Sequence, residues 1–166
     1  MYAMTCRLLA AAAVLAALAT AAPAAADPGE PLYDLVDAAA QRLQTADPVA
    51  ASKWLSGGPI TDPARVAQVL TQVSSEAETG GVPKDYVTTV FTDQINATEA
   101  IQYSRFAGWK FDPATAPVTA PDLSASRAAI DTLNHRMVDQ IALQWPVLHS
   151  PDCVTDLADA KAVVTA

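Results

Sequence analysis

The sequence predicts an all-α, single-domain protein, and three observations carry that expectation. Alanine is abundant while glycine numbers only 6. No run of alternating Val, Ile or Thr occurs, and no Asn-Gly or Asp-Gly hairpin signal. Apolar residues instead recur three and four apart, between Asp-Pro start signals and a Gly-Gly stop.

The first 26 residues stand outside this pattern and read as a cleavable signal peptide. Met1 to Arg7 carries one positive charge, Leu8 to about Ala22 is an uncharged apolar run, and Ala24-Ala25-Ala26 offers a small-x-small cleavage site before Asp27. The run is short and Ala-rich, whereas a spanning helix needs about 20 predominantly apolar residues. Cys6 precedes the run, so it is not placed for lipid modification at a cleavage site. No second apolar run occurs. The expected mature protein is soluble, secreted or periplasmic, and a single domain over 27–166.

Charge narrows its partners. Arg7 is the only charged residue before Asp27, so the mature chain carries 9 Lys+Arg against 18 Asp+Glu, a net charge of −9. Such a chain does not bind nucleic acid or anionic membrane by bulk charge. An anionic ligand has to be held by a local cluster of cations.

Leu32, Leu35, Val36, Ala39, Leu43 and Ala46 share helical spacing in a first region from about Leu32 to Leu55. Asp47-Pro48 predicts a kink or restart within it, with Asp as cap and Pro at the first helical position. Thr61-Asp62-Pro63 starts a second helix that runs to about Thr79 and stops at Gly80-Gly81. Pro83 opens a long third helix to about Trp109, with Tyr86, Val90, Ile95 and Ile101 on its apolar stripe. Residues 111–121 hold three prolines and form a loop. Asp122 or Ser124 caps a fourth helix to about Trp145, near Pro146, and Pro151-Asp152 opens a last one. Asn96-Ala97-Thr98 matches the glycosylation acceptor pattern, but it falls inside a helix.

The informative feature is a set of cations on these helices. Arg42 and Lys53 are eleven residues apart, close to three full turns, and point the same way if the helix continues through Pro48. Arg65 and Arg127 each lie about one turn inside their helices. Thr98 and Gln102, four apart, share a face of the third helix. Taken singly, each is an ordinary surface group, and Asp62 is an ordinary cap. Four such cations in so acidic a chain point to an anionic ligand. His135 and His149 lack ligand-spaced partners and read as surface residues, so no metal site is expected.

The segments DLVDAAAQRLQTADPVAASKW, ITDPARV, DYVTTVFTDQINATEAIQYSRFAGWK and PDLSASRAAIDTLNHRM give the chain a specific resemblance. It is similar to secreted chorismate mutases of the all-helical AroQ type, gamma subclass, from about Leu32 onward. That resemblance implies a helical bundle that rearranges chorismate to prephenate, in the branch leading to phenylalanine and tyrosine. It implies no cofactor, and a homodimer. Lys53 and Gln102 match the donors to the ether oxygen of the substrate. Arg42 and Arg127 match positions that bind its carboxylates, and Arg65 matches the remaining cation. Asp62 matches a residue near the substrate hydroxyl, and Thr98 a hydroxyl that holds a carboxylate or orients its neighbours.

Some features depart from that family. Val66 stands where intracellular relatives place a Glu, and Val69 where a secreted relative has Gln, so a thinner polar lining is expected. Secreted relatives continue beyond the point matching Ala166 with further helix and a second Cys that pairs with the one matching Cys153. The expectation is therefore a bundle with its C-terminal helix truncated and Cys153 unpaired. The alternative function is an exported helical binding protein that has lost mutase activity through that truncation.

Overall fold

A computed structural model describes residues 30–165, so the expected signal peptide lies outside the described residues. The helices are α1 (Tyr33–Gln44), α2 (Ala46–Ser56), α3 (Pro63–Thr79), α4 (Lys84–Phe111), α5 (Leu123–Leu143), α6 (Trp145–Leu148) and α7 (Cys153–Val164), with one 3₁₀ turn at Pro113–Thr115. Among the described residues there is no strand. The 28-residue α4 extends about 42 Å at the usual helical rise and is the spine. Helices α3 and α2 pack along it, while α1 lies against α5 and α7.

Local chemistry explains the ends. Asp62 caps α3, its Oδ1 accepting the Arg65 backbone N–H at 3.0 Å, and Pro63 takes the first helical position. At the other end, Gly81 adopts φ 74°, a left-handed conformation that costs glycine little. Val82 N–H then reaches the Ala77 carbonyl at 2.9 Å and Gly81 N–H the Glu78 carbonyl at 3.2 Å. This is a Schellman stop, with Val82 buried as its hydrophobic contact. For α5 the cap is Asp122, whose Oδ1 accepts the Ser124 N–H at 2.6 Å.

Three details differ from the sequence reading. The first helical region breaks at Thr45, and Asp47 does not cap the restart. The Asp47 carboxylate instead takes Nε and Nη2 of Arg105, from α4, at 2.6 and 3.0 Å. Pro48 then sits third in α2, within the first turn, where its missing N–H forfeits no helical bond. Helix α5 ends at Leu143 and the chain restarts as α6 with Pro146 in its first turn. A proline there has no N–H to continue the α5 ladder. The stripe of α4 is also shifted: Val87 and Phe91 are fully buried, while Tyr86, Val90 and Ile95 pack around them. Because α4 touches α1, α2 and α3, more than one of its faces is covered. Val69, Val73, Ala77, Phe91, Met137, Val138 and Ile141 form the core between α3, α4 and α5. Cys153 is half-buried and unpaired among the described residues.

Candidate active site

A cavity of about 600 Å³, counted to its open mouth, lies between α1–α2, α3, α4 and α5. Arg42, Lys53, Asp62, Arg65, Thr98, Gln102 and Arg127 all line it. Thr45, the break between α1 and α2, keeps right-handed helical angles. Both cations of that region consequently face the cavity, and both are buried, Arg42 at 4% exposure and Lys53 at 8%. The remaining wall is apolar except for Glu99: Val49, Ile60, Ile95, Leu123 and Ile130, together with Val66 and Val69. Val66 and Val69 both reach this wall, where they add apolar surface.

The four cations fall into two pairs of different character. Arg65 and Arg127 are each matched by a carboxylate. Arg65 is bridged to Asp131 of α5, and Arg127 Nη2 meets Asp62 Oδ2 at 2.8 Å. Arg42 and Lys53, the buried two, have no carboxylate within ion-pair distance among the described residues. Arg42 is held by neutral groups. Its Nε donates to Asn134 Oδ1 at 2.8 Å, its Nη1 approaches Thr98 Oγ1 at 3.4 Å, and its guanidinium carbon stands 5.6 Å from the centre of the Phe91 ring. Lys53 Nζ donates to the Ile60 carbonyl, in the α2–α3 connection.

Burial shows in their protonation. Loss of solvent pulls the Arg42 guanidinium down to about 10, with the like charge of Arg65 adding to it. Lys53 is likewise lowered by burial, and Asp62 and Glu99 oppose that only in part. Asp62 is held below its ordinary value, first by the Arg65 backbone N–H and then by the charge of Arg127. It therefore acts as cap and counter-ion at once, the cap expected from the sequence and the ion pair to Arg127 not.

Gln102 is buried, and its Oε1 has no hydrogen-bond partner. Thr98 Oγ1 also donates back to the Gln94 carbonyl at 2.7 Å, which fixes it beside Arg42. Sequence reasoning missed four contributors: Asn134 behind Arg42, Phe91 beside it, Asp131 on Arg65, and Glu99 in the wall. Asn134 and Asp131 sit on α5 seven and four residues beyond Arg127, the spacing of one helix face. His135 and His149 are exposed, as expected.

Buried charges are ordinarily paired, because an isolated ion in a low-dielectric interior is costly. A cavity that keeps two buried cations with no carboxylate at ion-pair distance, among the described residues, is preorganised for an anionic guest. Fold and site together define an all-helical protein with an enzyme-like pocket for a small organic anion. The chain belongs to the chorismate mutase family. The family model described as chorismate mutase type II matches residues 33–103. A secreted chorismate mutase of Mycolicibacterium smegmatis is 60% identical over 144 residues, covering 86% of this chain and 80% of that protein. One of Mycobacterium tuberculosis is 54% identical over 138 residues, covering 83% and 69%. Crystal structures of chorismate mutases from Burkholderia thailandensis and Burkholderia phymatum superpose with TM-scores of 0.72 and 0.74, at 40% and 31% identity. These cover 78% and 80% of this chain, and 82% of each of those chains.

Proposed function

We infer that this protein is an exported chorismate mutase, an isomerase that converts chorismate to prephenate. The observation that carries the reading is the pair of buried cations, Arg42 and Lys53, left without carboxylate partners at ion-pair distance in an open-mouthed cavity. Chorismate supplies the missing charge, since it bears two carboxylates. The rearrangement is intramolecular: the ether C–O bond breaks as a new C–C bond forms, and no group leaves the molecule. Two tasks remain for the protein. It holds a flexible dianion in a compact reactive shape, and it aims fixed donors at the ether oxygen, which gains negative charge as its bond breaks.

Arg42 and Arg127 are assigned to the carboxylates, where a planar guanidinium can pair with both oxygens. Lys53 and the Gln102 amide are assigned to the ether oxygen. Arg65 supports the substrate or its neighbours, Asp62 lies by the hydroxyl, and Thr98 orients Arg42. We propose further that the protein is a homodimer with a site within each protomer, a reading supported by one chain supplying all seven of these groups. Export rests on the N-terminal leader and on the relatives described as secreted.

The test follows loss of chorismate absorbance with purified mature chain. Wild-type protein turns chorismate over, and Arg42→Ala and Lys53→Ala do so at least about 10²-fold more slowly at the same protein concentration. A folded wild-type protein without turnover overturns the assignment and leaves a binding protein in its place.

A further inference from the structure

Arg42 is the most buried cation of the cavity, and the group that fixes it comes from α5, 92 residues along the chain. That group, Asn134, is itself fully buried. Its Oδ1 accepts from Arg42 Nε at 2.8 Å, and its Nδ2 has no partner. An asparagine interior to a helix, with half its amide unsatisfied, is an expensive choice if stability alone is at stake. A carboxylate at the same position would make a stronger hydrogen bond to Arg42 and neutralise it. It would also spend the charge the cavity needs. Arg65 shows the contrast: it is bridged to Asp131, on the same helix three residues earlier.

We propose that Asn134 is a positioning residue that fixes the Arg42 guanidinium by its Nε edge while leaving the positive charge uncompensated for the substrate. The fixing comes from the acceptor oxygen and the availability of charge from its neutrality. Thr98 and Phe91 constrain the guanidinium from other sides, and both are neutral too. Asn134 is absent from the cavity lining, so it acts through Arg42 and not on the substrate. The inference rests on the mutase reading for its substrate, but the arrangement it describes suits any small organic dianion.

Three variants separate the two parts. Asn134→Thr keeps a neutral oxygen acceptor; Asn134→Val has the same shape without it; Asn134→Asp keeps the acceptor and adds the charge. Steady-state kinetics should place the KM of Asn134→Thr within about threefold of wild type, and that of Asn134→Val at least tenfold higher. Asn134→Asp should also raise KM at least tenfold, with kcat changed less, while its melting temperature equals or exceeds that of wild type. A merely structural asparagine predicts an equally stable Asn134→Asp protein but with KM unchanged. The proposal is overturned if Asn134→Val matches Asn134→Thr, or if a folded Asn134→Asp matches wild type. Should Asn134→Asp not fold, the Thr/Val comparison decides. The rise in melting temperature with a small dicarboxylate such as malonate is measured on the same proteins. A wild-type protein that binds malonate but does not turn chorismate over removes the mutase reading, while the order of the variants in malonate binding still decides the role of Asn134.

Discussion

Gln102 and Lys53 are assigned the same duty, donating to the ether oxygen, yet they respond differently to pH. The Gln102 amide donates without titrating. Asp62 is held below its ordinary value, so it stays ionised in mild acid. Turnover is therefore expected to vary little from mildly acidic to neutral pH. Gln102→Glu should change this, because a carboxyl donates to an oxygen only when protonated. Its kcat should fall at neutral pH and recover as pH is lowered, and kcat measured across that range checks it. On the alkaline side, burial lowers Lys53 from its ordinary value of 10.5. As pH rises through that lowered value the ammonium loses its proton, so kcat/KM should decline before an exposed lysine would titrate. Removal of the group by Lys53→Ala is expected to cost about 10²–10³ in kcat, or roughly 2.7–4 kcal/mol of barrier, the usual loss for one preorganised donor. The seven residues assigned to the site were legible because they sit on helices at countable spacing or match family segments. Asn134 was not, since its partner is 92 residues away and nothing in a sequence window distinguishes it from a surface asparagine.

The start of α3 ties an element's stability to the site. Asp62 gives one oxygen to the Arg65 N–H, closing the first turn, and the other to Arg127. Asn in its place keeps a capping oxygen and loses the charge, whereas Ala loses both. Asp62→Ala should lower stability by about 1 kcal/mol, the usual worth of a side-chain cap. Asp62→Asn should stay within about 0.5 kcal/mol of wild type, because the ion pair to Arg127 is one-third exposed and worth little. Urea melts of the two variants measure the difference. The same carboxylate sets a direction with pH. Its folded pKa is depressed, so its contribution is present above the ordinary value of 3.8 and is lost as pH falls through the folded value. That loss should be absent from acid melts of Asp62→Asn. The starts of α3 and α5 were readable because the Asp62-Pro63 and Asp122-x-Ser124 signals act within one turn of chain. The break at Thr45 was misplaced because a longer-range force competes locally: Arg105 of α4 draws Asp47 out of the capping role. The shifted stripe of α4 has a similar origin, since helices on several sides bury more of it than one amphipathic period describes.

Phe91 joins core to cavity. It is fully buried in the cluster between α3, α4 and α5, and its ring also faces the Arg42 guanidinium. Val73 is buried in the same cluster and does not line the cavity. Phe91→Ala should cost about 3–5 kcal/mol, from lost burial and the void left behind. Against a total stability of about 5–15 kcal/mol, that leaves a protein that folds with a small margin. A ligand at 100 times its dissociation constant restores about 2.7 kcal/mol to any chain that binds it equally well. The two variants should part at this point. Val73→Ala lowers the melting temperature but should keep the full ligand-induced rise, because Arg42 and its neutral cradle are untouched. Phe91→Ala should lose most of that rise, since the guanidinium loses the ring that confines it and holding it in place then draws on ligand binding energy. Thermal melts with and without prephenate, the product expected for this site, measure both. An equal ligand-induced rise in the two variants would show that the core supports the fold alone. A rise confined to Val73→Ala and wild type shows that the helices are packed to hold an uncompensated cation where the substrate needs it.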